Sequence, residues 1–465
     1  MKKAIVIFLV ILLLAALAVG LLALRLHLVE NGSVVLRDGK LVAVPDVGYR
    51  FDGWSNGKRE EALPLLENLL ARPIFVEDRL RLPSIRIETE GGKEITSKET
   101  YLTCTVSLSA ESAFSFEGVT ARIKGRGNST FGFDKKPYKI KFDEKISLLG
   151  EDKAKEWTLI ANHMDYSLMR NYLAYKVGEA LGLPYTTSAE FVDVYVNGEY
   201  RGVYLLCEQI EVGRGRVDIE DSLEVAETGY LLELDARAPG EGEEGVDYFY
   251  SLAGALPYAI KSPDTEDEKF TPERVAFIKS YVDAAYTALL GSDYAEVSRY
   301  LDVDTFVNGY ILDELFKTTD VGFSSFYLYR DAGGKLSRGP IWDYDLAAGN
   351  SVAAGAISPS GIYAGVANPW YARLLTFPEF RSAVGARLAE MRGTVTETLA
   401  GAFDMADSYY DCLVRNFQKW DILGQYTMEY TSKEVSEIET YEGQLAYLED
   451  WLLDSLSYLE GEYVK

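Results

Sequence analysis

The chain has 465 residues, 48% of them hydrophobic and 12% aromatic, which suits a folded protein with a sizeable core and excludes a disordered tail. Asp and Glu (72) outnumber Lys and Arg (47), for a net charge of -25, and this opposes sequence-independent binding to nucleic acid phosphates, so no nucleic acid partner is expected. The three cysteines, Cys104, Cys207 and Cys412, form no CxxC pair or disulfide framework, and with only His27 and His163 present, His-ligated metals and Ser-His-Asp hydrolysis are disfavoured.

Met1-Lys2-Lys3 precedes an apolar run from Ala4 to Leu24. A helix needs about 20 such residues to cross a bilayer, and lysines ahead of the run keep the amino terminus in the cytoplasm. The expectation is a single N-terminal membrane anchor within residues 1–29 with the remainder facing outward. The competing reading is a cleaved signal peptide, with Ala16-Leu17-Ala18 as its cleavage pattern and a secreted product.

Residues 30–80 read as a small β module and linker. Ser33 to Leu36 and Leu41 to Val44 flank Asp38-Gly39 as a hairpin. The string Gly48-Tyr49-Arg50-Phe51-Asp52-Gly53-Trp54 resembles the small β modules repeated in bacterial surface proteins, which implies a spacer or stalk; the plainer reading is an N-terminal hairpin of the main domain. A helix is expected over Arg59 to Leu70.

The main body, residues 81–465, opens with strands over Ser84 to Glu88 and Tyr101 to Leu108. Lys124-Gly125-Arg126-Gly127-Asn128-Ser129-Thr130 is a basic, glycine-rich loop of the kind that lays N–H groups and an arginine against phosphate, although the same string makes an ordinary turn. In Lys136-Pro137-Tyr138-Lys139-Ile140-Lys141-Phe142, a period of two sends Tyr138, Ile140 and Phe142 to a core. Lys139 and Lys141 then share the opposite face, where two adjacent ammonium groups call for an anion between them; the plainer reading is a solvated face. A helix is expected from Asp165 to Leu181, with Asp165 as cap, and then two strands joined by Asn197-Gly198, the strongest hairpin signal in the chain.

Residues 211 to 275 read as acidic and turn-rich, with Gly240 to Gly245 a mobile loop, before helices resume near Pro272, Asp293 and Asp304. After Thr318-Thr319-Asp320-Val321-Gly322 comes a strand, Ser325 to Arg330. The chain then reaches Gly339-Pro340-Ile341-Trp342-Asp343-Tyr344-Asp345. On an extended segment Asp343 and Asp345 share one side, where their repulsion calls for a cation such as Mg2+. The plainer reading is a pair of exposed loop acids. The carboxyl-terminal third reads as helical.

Several of these strings in order resemble the spore coat protein H (CotH) kinases, a bacterial and eukaryotic group with an atypical protein-kinase fold. They are Arg126 to Thr130, Lys136 to Phe142, Asp165 with Arg170-Asn171, Val196 to Tyr204, and Gly339 to Asp345, together spanning about residues 84 to 390. The resemblance implies an α+β, kinase-like bilobal fold with a β-rich N-lobe, about 81–212, and a helical C-lobe, about 213–465. It implies ATP with Mg2+ or Mn2+ as cofactors, and a surface or coat protein as substrate. Carried over by position, Lys139 or Lys141 contacts the phosphates, with Arg126 and Asn128 in the glycine-rich loop and Glu208 at the hinge. Asp320 matches the catalytic-loop aspartate, Asp343 and Asp345 hold the metal, and Asn350 is a further metal or substrate candidate. No acid is assigned as partner of the strand lysine; Glu179 lies on the corresponding helix. Where some relatives carry an Asn after the catalytic Asp, this chain has Val321-Gly322-Phe323-Ser324-Ser325. A glycosidase using Asp343 and Asp345 is disfavoured because neighbours so close cannot flank a sugar bond. A non-catalytic adhesin or scaffold is the alternative to a kinase.

Overall fold

The computed structural model describes residues 29–464 apart from 38, 46–48, 59, 61, 66–67, 69–70, 78–80, 111–113, 226, 254–255 and 427. The chain divides into two compact units, Met1–Arg81 and Leu82–Lys465.

In the first unit, β1 (Gly32–Arg37) and β2 (Lys40–Pro45) pair antiparallel as the hairpin expected around Asp38-Gly39, with Gly39 at φ +72°. β3 (Tyr49–Trp54) pairs with β5 (Pro73–Glu77), and β4 (Ala62–Pro64) adds to β2. Trp54, Leu41, Leu63 and Phe75 form a small core. Within the span 59–70 expected to be a helix, 62–64 are instead a strand, as suits Pro64, which cannot donate within a helix.

The anchor expected over residues 4–24 lies outside the described residues. Among the described residues no helix is long and apolar enough to cross a membrane. Membrane attachment through an N-terminal helix, and the outward-facing or secreted location inferred from it, is therefore corrected: no helix among the described residues supports it.

The second unit is a mixed α+β assembly, β-rich in its N-terminal part and helical in its C-terminal part. Seven strands close a barrel: β6 (Ser84–Thr89), β7 (Leu102–Ser109), β8 (Phe116–Gly125), β9 (Tyr138–Ile146), β10 (Ala154–Ile160), β11 (Ala189–Val196) and β12 (Glu199–Glu208), in the order β10-β12-β11-β6-β7-β8-β9. Pairing is antiparallel except between β6 and β11. Alternation explains the barrel core: Ile85, Ile87, Val106, Ile123, Ile140, Phe142, Trp157, Leu159, Val194 and Leu206 point inward. Asn197 (φ +51°) and Gly198 (φ +76°) make the tight turn between β11 and β12, which is why that dipeptide read so clearly.

The other faces of β11 and β12 carry Phe191, Val203, Leu205 and Cys207 into a second, larger core. That core includes α1 (Arg170–Ala180), α2 (Pro272–Leu290), α3 (Tyr294–Tyr300), α4 (Val303–Phe316), α5 (Pro378–Ser408), α6 (Tyr410–Lys419) and α7 (Tyr441–Tyr463). Within the span read as acidic turns lie β13 (Tyr230–Leu234), β14 (Tyr248–Tyr250) and β15 (Pro257–Ser262), which join β16 (Phe326–Arg330) and β17 (Ser337–Arg338) in a five-stranded sheet. All five residues of β13 are buried, so the strand shows no alternation to read.

Candidate functional site

The acidic segment is a loop pinned from two sides. Residues 341–350 form no strand, and Asp343 has φ +72°, so the expected extended alternation is not what presents its carboxylate. At the start of α1, Asn171 Oδ1 accepts from the Tyr344 N–H (2.7 Å), and Arg170 donates to the Ala347 (2.9 Å) and Ala348 (3.2 Å) carbonyls. Beyond the end of α4, the Thr318 hydroxyl donates to the Asp343 carbonyl (3.2 Å), and the Phe316 carbonyl accepts from the Ala348 N–H (2.6 Å). The Tyr344 and Tyr371 hydroxyls and Arg338 converge on Asp313 in a fully buried network. Gly349, at φ +79°, closes the loop where an added Cβ would stand 2.5 Å from the Tyr447 hydroxyl.

This scaffold gathers three carboxylates. Burial, then repulsion from Asp343, lifts Asp320 to about 6, with Arg237 pulling the other way. Asp345 is pushed well above the usual carboxylate range by burial, then by Asp343, Asp320 and Asp165. The Ser325 hydroxyl donates to Asp343 Oδ2 (3.1 Å), while the Ser325 N–H donates to Glu233 Oε1 (3.1 Å). Glu233 in turn pairs with Lys261 at 2.9 Å.

Asn350 is fully buried; its Nδ2 donates to the Met164 (2.7 Å) and Asp345 (2.9 Å) carbonyls, and its Oδ1 has no hydrogen-bond partner. Among the described residues no group of three or more His, Cys, Asp or Glu side chains is placed to hold a metal ion by itself. Mg2+ does not need one: it binds through one or two carboxylates and completes its shell with water and phosphate oxygens. Two acids whose charges repel therefore fit such an ion, with Asp343 and Asp345 as the residues to hold it, and Asn350 at the end of the same loop has an amide oxygen without a hydrogen-bond partner.

Of the cationic candidates, Arg126 comes to this loop. Its guanidinium lies 5.4 Å from the centre of the Trp342 ring, and it acts on the Tyr175 and Tyr327 phenols that also feel Asp343. Lys139 and Lys141 are on the outer face of β9, and the anion between them is supplied by the protein: both ammonium groups pair with Glu156 on β10, Lys141 at 2.6 Å. Glu179 instead makes a loose 3.9 Å contact with Lys176. Across the barrel surface Lys124, Lys139, Thr158 and Cys207 occupy one register row, and Arg122 and Lys141 the next. Asn128 is exposed at the start of a short turn, with no side-chain cap bond. Glu208 is buried, lifted to about 7 by burial against the pull of Arg216, and accepts from the Ser188 N–H (3.2 Å).

Glu156, Asp313, Glu233 and Ser325 were not singled out for these contacts from sequence. For Glu156 a signal existed, since antiparallel pairing of two alternating strands puts an acid opposite the lysines; for Asp313 and Glu233 none did, because both lie in buried elements without periodicity.

The family description "CotH kinase protein" matches residues 123–459, from the end of β8 to α7, and takes in every candidate residue above. The chain belongs to the CotH kinase family. It is also similar to the inner spore coat protein H of Bacillus subtilis (strain 168), with 28% identity over 261 residues, 56% of this chain and 67% of the relative. Within the CotH match, Arg170 and Asn171 hold the Asp343 to Ala348 loop in place, which gives both residues a definite structural role.

Proposed function

We propose that this CotH-family chain is an ATP- and metal-dependent phosphotransferase acting on Ser or Thr hydroxyls of a protein substrate, a spore coat protein by analogy with its relative. The observation that carries the reading is the set of three mutually repelling carboxylates, Asp320, Asp343 and Asp345, next to the Arg126 guanidinium. In this reading the barrel and the helical part act as the two lobes of a kinase-like fold.

A divalent ion held by Asp343 and Asp345, with Asn350 Oδ1 nearby, would neutralise charge on the transferring phosphoryl group. Asp320, lifted to about 6, is a base poised near neutrality. It takes the acceptor's proton as the hydroxyl oxygen bonds to the γ-phosphorus and the bond to the β–γ bridging oxygen breaks, releasing ADP. Arg126 supplies a bidentate donor for phosphate oxygens. Lys139 and Lys141, oriented by Glu156, also serve the phosphates, as a strand lysine held by an acid does in kinases. Glu208 and Asn128 are candidates for nucleotide contacts.

A second reading, a kinase-like scaffold without catalysis, draws on the neutralisation of both lysines by Glu156 and on Ser325 replacing an asparagine. The two are separated by incubating the full chain and its Asp343→Ala variant with labelled ATP, Mg2+ or Mn2+ and a spore coat extract. Label transferred by the first and not the second supports the phosphotransferase. ATP bound without transfer to any protein, under either metal, supports the scaffold.

A further inference from the structure

Ser325 stands in an unusual position. It follows Asp320 by the interval that, in protein kinases, separates the catalytic aspartate from an asparagine holding a second metal ion. Its backbone is left-handed, φ +59°, a conformation in which Asn is favoured over other side chains bearing a Cβ. It is buried, its N–H is tied to Glu233, and its hydroxyl donates to Asp343 Oδ2 at 3.1 Å. Beside it is a cavity of about 10 Å³ lined by Asp320, Ser325, Phe326, Trp342 and Thr318. That is about the room of one water molecule. A backbone shaped for an amide side chain thus carries a shorter one, with a gap next to it.

We propose that Ser325 sets the metal stoichiometry of this site: it orients Asp343 through its hydroxyl but reaches no ion itself, so the chain binds one divalent ion with its nucleotide rather than two. Asp343 and Asp345 would hold that ion, with the Asp345 carbonyl fixed by the Asn350 amide. A second ion would need a ligand between Asp320 and Asp343, and there Ser325 presents a hydroxyl already committed to Asp343. Ser325 is a positioning residue, and the inference rests on the phosphotransferase reading.

The test counts ions instead of turnover. The full chain and its Ser325→Asn and Ser325→Gly variants are titrated with Mn2+ at saturating non-hydrolysable ATP analogue, and free Mn2+ is followed by electron paramagnetic resonance. One tight Mn2+ per chain is expected for the natural protein and two for Ser325→Asn. Ser325→Gly removes the hydroxyl at a backbone angle glycine adopts freely, and should keep one ion with affinity lowered about 10- to 100-fold. Ser325→Asp, which also extends an oxygen into the gap, is the second variant for the count of two. Two ions on the natural protein, or one on both extended variants, overturns the assignment and leaves the phosphotransferase reading intact. Absence of Mn2+ and nucleotide binding in the natural protein overturns both.

Discussion

Arg170 and Asp165 form an ion pair of 2.6 Å with neither side chain exposed, and the same guanidinium reaches the Ala347 and Ala348 carbonyls. Asp165 is itself satisfied by the Ser167 N–H (3.0 Å) and hydroxyl and by the Arg170 N–H (2.8 Å). One buried cation therefore joins the turn before α1 to the loop that carries Asp343 and Asp345. Desolvation makes such a pair a poor source of net stability, but removing one partner leaves a buried charge uncompensated.

Arg170→Met should accordingly destabilise the chain by about 3–5 kcal/mol. Urea unfolding at fixed pH checks this, and a loss below about 1 kcal/mol would mean that the loop does not depend on the pair.

Asp343→Ala should reduce phosphoryl transfer by about 10³-fold or more while leaving the fold intact, because among the described residues its side chain accepts a hydrogen bond from Ser325 alone. Single-turnover transfer from labelled ATP, with circular dichroism of the variant, distinguishes lost chemistry from lost structure.

The two strand lysines should not be equivalent. Lys139 is the less exposed and shares its register row with Thr158 and Cys207, the latter within the field of Arg126, whereas Lys141 pairs toward Arg122. Lys139→Ala is expected to raise the KM for ATP about tenfold or more, and Lys141→Ala by less than about threefold, since Lys141 is the more exposed partner of Glu156 and a more solvated charge is worth less. Equal effects would place both ammonium groups on the phosphates.

Acidity should strengthen the metal-free fold within a defined window. Asp320 and Glu208 have folded-state values of about 6 and about 7, raised above those of the unfolded chain, so the folded protein binds more protons between them. Their contribution is fully present below about pH 4, the ordinary carboxylate value, and is lost as pH rises through 6 to 7. The Tm of the metal-free chain should therefore fall between pH 5.5 and 7.5 by about a few degrees, and Mg2+ with nucleotide should reduce the slope by offsetting the Asp320 part. The same ionisation predicts a transfer rate that rises with pH through about 6 before metal binding lowers that limb.

Local chemistry made much of this protein legible in its sequence. Asn197-Gly198 encodes its hairpin because both residues accept positive φ, and the alternation of Tyr138, Ile140 and Phe142 encodes a half-buried strand wherever it is placed. The ordered strings from Arg126 to Asp345 were enough to point to the CotH family, and the β-rich and helical parts follow from periodicity. What tertiary structure alone decided are the relations between residues far apart in the chain. Glu156 answers Lys139 and Lys141 only because β10 lies beside β9 in register. Asp343 is presented by a left-handed turn held from α1 and from the end of α4, where a strand was expected. Burial and the charge of Asp343 raise the proton affinity of Asp320 and Asp345 only once folding excludes water from between them, because a field that bulk water would screen persists in the interior.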